Sequence, residues 1–138
     1  MNIMIIIDKL PDDLIKLINE YIPKKALLFT NKMYYELYHP LIKTYISNYE
    51  SYTRDMIRRD NEFVFEKIIR ENFNKWSANR QYSYQHMLFN SYINFIMYFC
   101  IENESEKCRT ILLNLFEERN FNRNRHKKNV IKYIKWNN

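Results

Sequence analysis

Residues 10–37 read LPDDLIKLINEYIPKKALLFTNKMYYEL, and the fold turns on how this stretch is parsed. Leu10-Pro11 is followed by Asp12 and Asp13. A proline fits the first turn of a helix, where its missing N–H costs no hydrogen bond. Two carboxylates in that turn meet the positive end of the helix dipole. Behind them Leu14, Ile15, Leu17, Ile18, Tyr21 and Ile22 recur at helical spacing, which predicts an amphipathic helix over 11–22. Pro23 stops it. A second amphipathic helix is predicted over 24–38, carrying Leu27, Leu28, Met33, Tyr34 and Leu37, with polar Asn31 and Lys32 interrupting it. His39-Pro40 ends that run, because the residue before a proline avoids the helical region.

The stretch resembles an F-box, over residues 10–38. The residues that carry the likeness are Leu10, Pro11, Leu14, Ile18, Ile22, Pro23, Leu27, Leu28, Asn31, Lys32, Tyr35 and Leu37. Between the Leu27-Leu28 and Asn31-Lys32 pairs this chain lacks about one helical turn that the family pattern has. The resemblance implies that Leu10, Pro11, Leu14, Ile15, Ile18, Ile22, Leu27, Leu28, Tyr35 and Leu37 dock on a Skp-type adaptor. That docking joins the chain to a cullin-RING ubiquitin ligase, while the remaining residues hold an unknown protein target. It requires Leu10, Leu14, Ile18, Leu28 and Tyr35 to be exposed in the isolated chain. The competing reading is a helical hairpin packed on its own domain.

Working outward, the 138 residues suffice for one compact domain or a small hairpin module on a larger one. Glycine is absent and alanine occurs only at Ala26 and Ala78, while Asn, Ile, Lys, Tyr and Phe are over-used. That bias is typical of AT-rich coding sequence. Joined to the F-box likeness, the chain looks like proteins of AT-rich protists or the short F-box proteins of large DNA viruses. A chain without glycine has no P-loop, no dinucleotide fingerprint and no nucleophile elbow.

Cys100 and Cys108 are too few for a disulfide scaffold and read as buried small hydrophobes in a reducing compartment. The apolar run 3–7 is too short and lacks the basic flank of a signal peptide. Residues 1–9 read as a short strand or an extended arm. No segment offers the ~18 apolar residues of a membrane helix. The expected location is therefore intracellular, in host cytoplasm or nucleus if the source is viral.

Beyond residue 40 the pattern stays helical. A short helix is predicted over 40–49. Tyr52, Met56 and Ile57 mark the next, and Asp60-Asn61 forms a capping pair before a helix that buries Phe65, Ile68, Ile69, Phe73 and Trp76. Residues 77–83 read as a loop, and 84–101 as a helix apolar nearly all round, the buried centre of a bundle. Ser105 reads as the cap of a helix burying Cys108, Ile111, Leu112, Leu115 and Phe116, and Asn124 as the cap of a last helix with Val130, Ile131, Ile134 and Trp136. The fold class is all-α: an F-box-like helical hairpin in domain 1–46, then a compact bundle of about five helices in domain 47–138. No second strand is predicted, and no internal repeat is visible.

The charge is uneven. The chain carries a net +6, but residues 119–138 hold seven basic residues and no acid, leaving 15 basic and 16 acidic residues before them. On a helix, Lys128, Lys132 and Lys135 share a face, flanked by Arg123, Arg125 and Lys127. Such a ridge suits phosphates or an acidic protein partner. A basic helix end facing solvent is the plainer explanation. Tyrosines 34, 35, 38, 45, 49 and 52 form either an exposed band or the filling of the joint between hairpin and bundle.

Catalytic signals are poor. His39, His86 and His126 are scattered, and no zinc-ligand spacing exists. The expectation is a non-enzyme with no cofactor and no metal. Beside the ubiquitin-ligase adaptor stand two alternatives, a small basic nucleic-acid-binding viral protein and a structural or assembly subunit without a ubiquitin role.

Overall fold

The structure of the chain is a computed structural model. The structure describes residues 9–121 and the pair Lys132–Tyr133. It divides into two compact units, Met1–Tyr49 and Glu50–Asn138, where the sequence pattern placed the boundary after residue 46.

In the first unit, helix α1 spans Asp12–Tyr21. The Pro11 carbonyl accepts the N–H groups of Leu14 (3.0 Å) and Ile15 (3.1 Å), so proline nucleates the turn without needing to donate. Ile22, preceding Pro23, is extended at φ −86°, ψ 126°, which ends the helix. The expected helix over 24–38 is two helices, α2 (Lys24–Leu28) and α3 (Lys32–Tyr38). The cause is local. The Thr30 hydroxyl donates to the Leu27 carbonyl at 2.7 Å, and the Asn31 side chain accepts the Tyr34 N–H at 2.9 Å. Short polar side chains thus take over the backbone groups that a continuous helix would have paired.

The α-helix ends at Tyr38, as the sequence predicts, but His39 does not leave the helical region as a residue before proline is expected to. His39 is helical at φ −52°, ψ −39°, and His39–Leu41 is a 3₁₀ turn leading into α4 (Ile42–Tyr45). Pro40 sits at the start of that turn, where no N–H is required, and His39 is buried. The single short helix expected over 40–49 is therefore this pair of brief turns. Among the described residues of the unit, Leu27, Leu28, Tyr35, His39 and Ile42 are buried. The Tyr35 ring lies 5.2 Å from that of His39 and 6.4 Å from that of Phe29.

The second unit is built on α5 (Tyr49–Arg58), α6 (Glu62–Trp76), α7 (Tyr92–Glu102) and α8 (Glu106–Glu118). Helix α6 packs along α8, and α7 lies against both. Phe65, Ile68 and Ile69 from α6, Ile93, Phe95 and Ile96 from α7, and Leu112, Leu115 and Phe116 from α8 are almost fully buried. This apolar burial dominates the stabilisation of the unit.

Two sequence expectations fail here. Residues 77–83 are not all loop, and the helix does not start at 84. Tyr82–Tyr84 is strand β1 and Met87–Phe89 is strand β2, paired antiparallel with Tyr82 opposite Phe89 and Tyr84 opposite Met87. Residues 82, 84, 87 and 89 turn toward α7, a period of two that the surrounding apolar residues conceal. Ser91 caps α7 through the Asn94 N–H, so the helix cannot begin earlier. A further strand, β3 (Lys132–Tyr133), pairs antiparallel with β2, giving the order β1-β2-β3. The fold is mostly helical with one small sheet, not purely α.

Without glycine, the left-handed positions fall to other residues. Asp60 (φ 49°), Glu104 (φ 54°) and Asn120 (φ 51°) follow α5, α7 and α8. In each case the next N–H reaches back to the helix, Asn61 to the Met56 carbonyl, Ser105 to Cys100 and Phe121 to Phe116. This is the ordinary helix-ending motif, made with residues that have a Cβ.

Candidate functional site

The likeness at residues 10–37 directs attention to the surface of the first unit. Eight large hydrophobic residues are exposed among the described residues, and seven of them lie between Leu14 and Leu41. Helix α1 is the extreme case. None of its described side chains is buried. Leu14 (46% exposed), Leu17 (49%) and Tyr21 (82%) follow one another at spacings of three and four along one track. On α3, Met33 (64%) and Leu37 (63%) are one turn apart and likewise exposed, as are Phe29 and Leu41. These exposed apolar side chains make the first unit the candidate interaction surface.

The structure sorts the ten expected docking residues into three groups. Pro11, Leu14 and Leu37 are exposed, whereas Leu10, Ile15, Ile18 and Ile22 are half-buried. Leu27, Leu28 and Tyr35 are buried, so the exposure that docking required of Leu28 and Tyr35 is not met. Helix α2 buries Leu27 and Leu28 and α3 buries Tyr35, whose ring tilts against that of His39, while Met33 and Leu37 on α3 stay exposed. Leu17, Tyr21, Phe29, Met33 and Leu41 are exposed without having been expected to dock. The spacing of Leu14, Leu17 and Tyr21 carried that signal. Nor is there an exposed tyrosine band: Tyr35 is buried and Tyr34, Tyr38, Tyr45, Tyr49 and Tyr52 are half-buried.

The other expected site is the basic ridge. Arg123, Arg125, Lys127, Lys128 and Lys135 lie outside the described residues, as do the arm over residues 1–8 and the capping Asn124. At Lys132 the backbone is a strand, so the helix that would align Lys128, Lys132 and Lys135 on one face does not run through this position.

In the second unit the polar side chains mostly hold structure. Ser105 occupies the N-terminal position of α8 but does not cap it. Its hydroxyl donates instead to the Ile57 carbonyl, and the Asp60 carboxylate caps α8 from a distant turn, accepting the N–H groups of Cys108 (2.9 Å) and Lys107 (3.2 Å). Burial works to raise the Asp60 pKa, but these two backbone donors outweigh it and hold the carboxyl below its ordinary value. Cys100 and Cys108 are fully buried. Burial pushes the Cys100 thiol up to about 12, and burial with a hydrogen bond to Asp60 pushes Cys108 further. Both are therefore thiols, not nucleophilic thiolates, near neutral pH.

An arginine-aromatic seam, not anticipated from the sequence, ties α5 to the hairpin and α7. Glu50, Arg54 and Arg58 recur every four residues. Glu50 accepts the Tyr82 hydroxyl at 3.1 Å, Arg54 lies 5.4 Å over the Tyr84 ring and Arg58 lies 5.2 Å over that of Phe99. Burial, then the Glu50 carboxylate, raises the Tyr82 pKa to about 12. On the surface Arg70 joins Glu118 through two hydrogen bonds (2.9 and 3.1 Å) and also Glu66. No group of residues suited to a metal ion occurs among the described residues, and no described helix is long and apolar enough to cross a membrane.

Compared with known proteins, the chain matches no family model, no curated protein and no solved structure.

Proposed function

We propose that the chain is an F-box-like interaction adaptor, whose first unit docks a Skp-type adaptor of a cullin-RING ubiquitin ligase while the second unit holds the target. The observation that carries this reading is α1: an amphipathic helix, opened by Leu-Pro-Asp-Asp, with no described side chain buried. An apolar stripe left in water costs solvation free energy that a partner recovers on docking. The docking residues differ in part from those of the family pattern. Leu14, Leu17 and Tyr21 on α1 and Met33 and Leu37 on α3 make the contact, while Leu27, Leu28 and Tyr35 hold the unit together. In the second unit Asp60 is engaged in a helix cap, Arg70 in an ion pair and Arg54 in a ring contact.

The test is capture of the purified chain on an immobilised Skp-type adaptor. Binding by the wild type that is lost on changing Leu14 and Leu17 supports the reading. A folded wild type that is not captured overturns it.

A further inference from the structure

We draw no further inference here: the strongest candidate, the uncovered apolar surface of the first unit at Leu14, Leu17, Tyr21, Met33 and Leu37, belongs to the site already described, and nothing in the structure shows what else covers it.

Discussion

The double substitution Leu14→Gln, Leu17→Gln separates docking from folding. Each leucine already has about half its surface in water, at 46% and 49%. Full burial of a leucine is worth about 1.5–3 kcal/mol, so roughly half of that remains for a partner to recover, or about 1.5–3 kcal/mol for the pair. Losing it weakens capture about 10- to 150-fold. The new amides deepen the loss if they find no hydrogen-bond partner in the interface. The fold itself is spared. Glutamine has nearly the helix propensity of leucine, and its methylenes keep part of the packing, so the cost stays under about 1 kcal/mol. The paired control is Leu28→Ala, at a fully buried position, which costs the first unit about 2–5 kcal/mol. Capture is read by surface binding to the immobilised adaptor, and folding by circular dichroism during a thermal melt. Two results refute the reasoning: wild-type binding by the double variant, or a melt shifted as far as that of Leu28→Ala.

Four further outcomes are expected. Phe95→Ala removes a fully buried ring that touches Tyr82, Tyr84, Phe89, Tyr92 and Phe99, and lowers stability in a urea titration by about 3–5 kcal/mol. Glu104→Gly relieves a left-handed residue at the end of α7 and raises the urea midpoint, by about 1 kcal/mol of stability. Asp60→Asn removes the charge that caps α8 and costs about 1 kcal/mol at neutral pH. Because the Asp60 pKa is lowered by folding, its contribution is present above the ordinary carboxylate value of 3.8 and fades as pH falls through the folded-state value, so wild type and variant converge in acid. Tyr82 shows the opposite sign. Its pKa rises from 10.0 to about 12, so its contribution is complete below pH 10 and is lost as pH climbs through about 12. Stability measured across that window falls less steeply for Tyr82→Phe, while buried Cys100 keeps a residual slope in both proteins.

The candidate site was legible only in part. Helical spacing exposed the apolar stripe of α1 because a repeat of three and four residues requires no knowledge of the rest of the fold. Whether such a stripe faces a core or water is a property of what packs on it, and spacing is silent on that. Leu28 and Leu37 look alike in the sequence, yet one is fully buried and the other is 63% exposed. The hairpin over 82–89 was hidden for a related reason. Tyr82, Tyr84, Met87 and Phe89 alternate, but the run continues into the apolar α7, and a short apolar segment fits a strand or a helix equally well.

What the sequence by itself determined is local. Pro11 and Asp12-Asp13 start α1, Pro23 stops it, Asn61 caps α6, and the periodic apolar residues of α6 and α8 are buried as their spacing requires, except that Ile111 is half-buried. These features depend on interactions within four residues, whose geometry is the same in any fold. Tertiary structure decided the rest. Ser105 sits where a helix cap belongs, yet its hydroxyl serves the Ile57 carbonyl, and the cap of α8 comes from Asp60, a partner 48 residues before Cys108. Arg54 and Arg58 find rings on the hairpin and on α7. Each of these pairings joins residues that are distant along the chain, and they meet only once hydrophobic burial has brought the helices together.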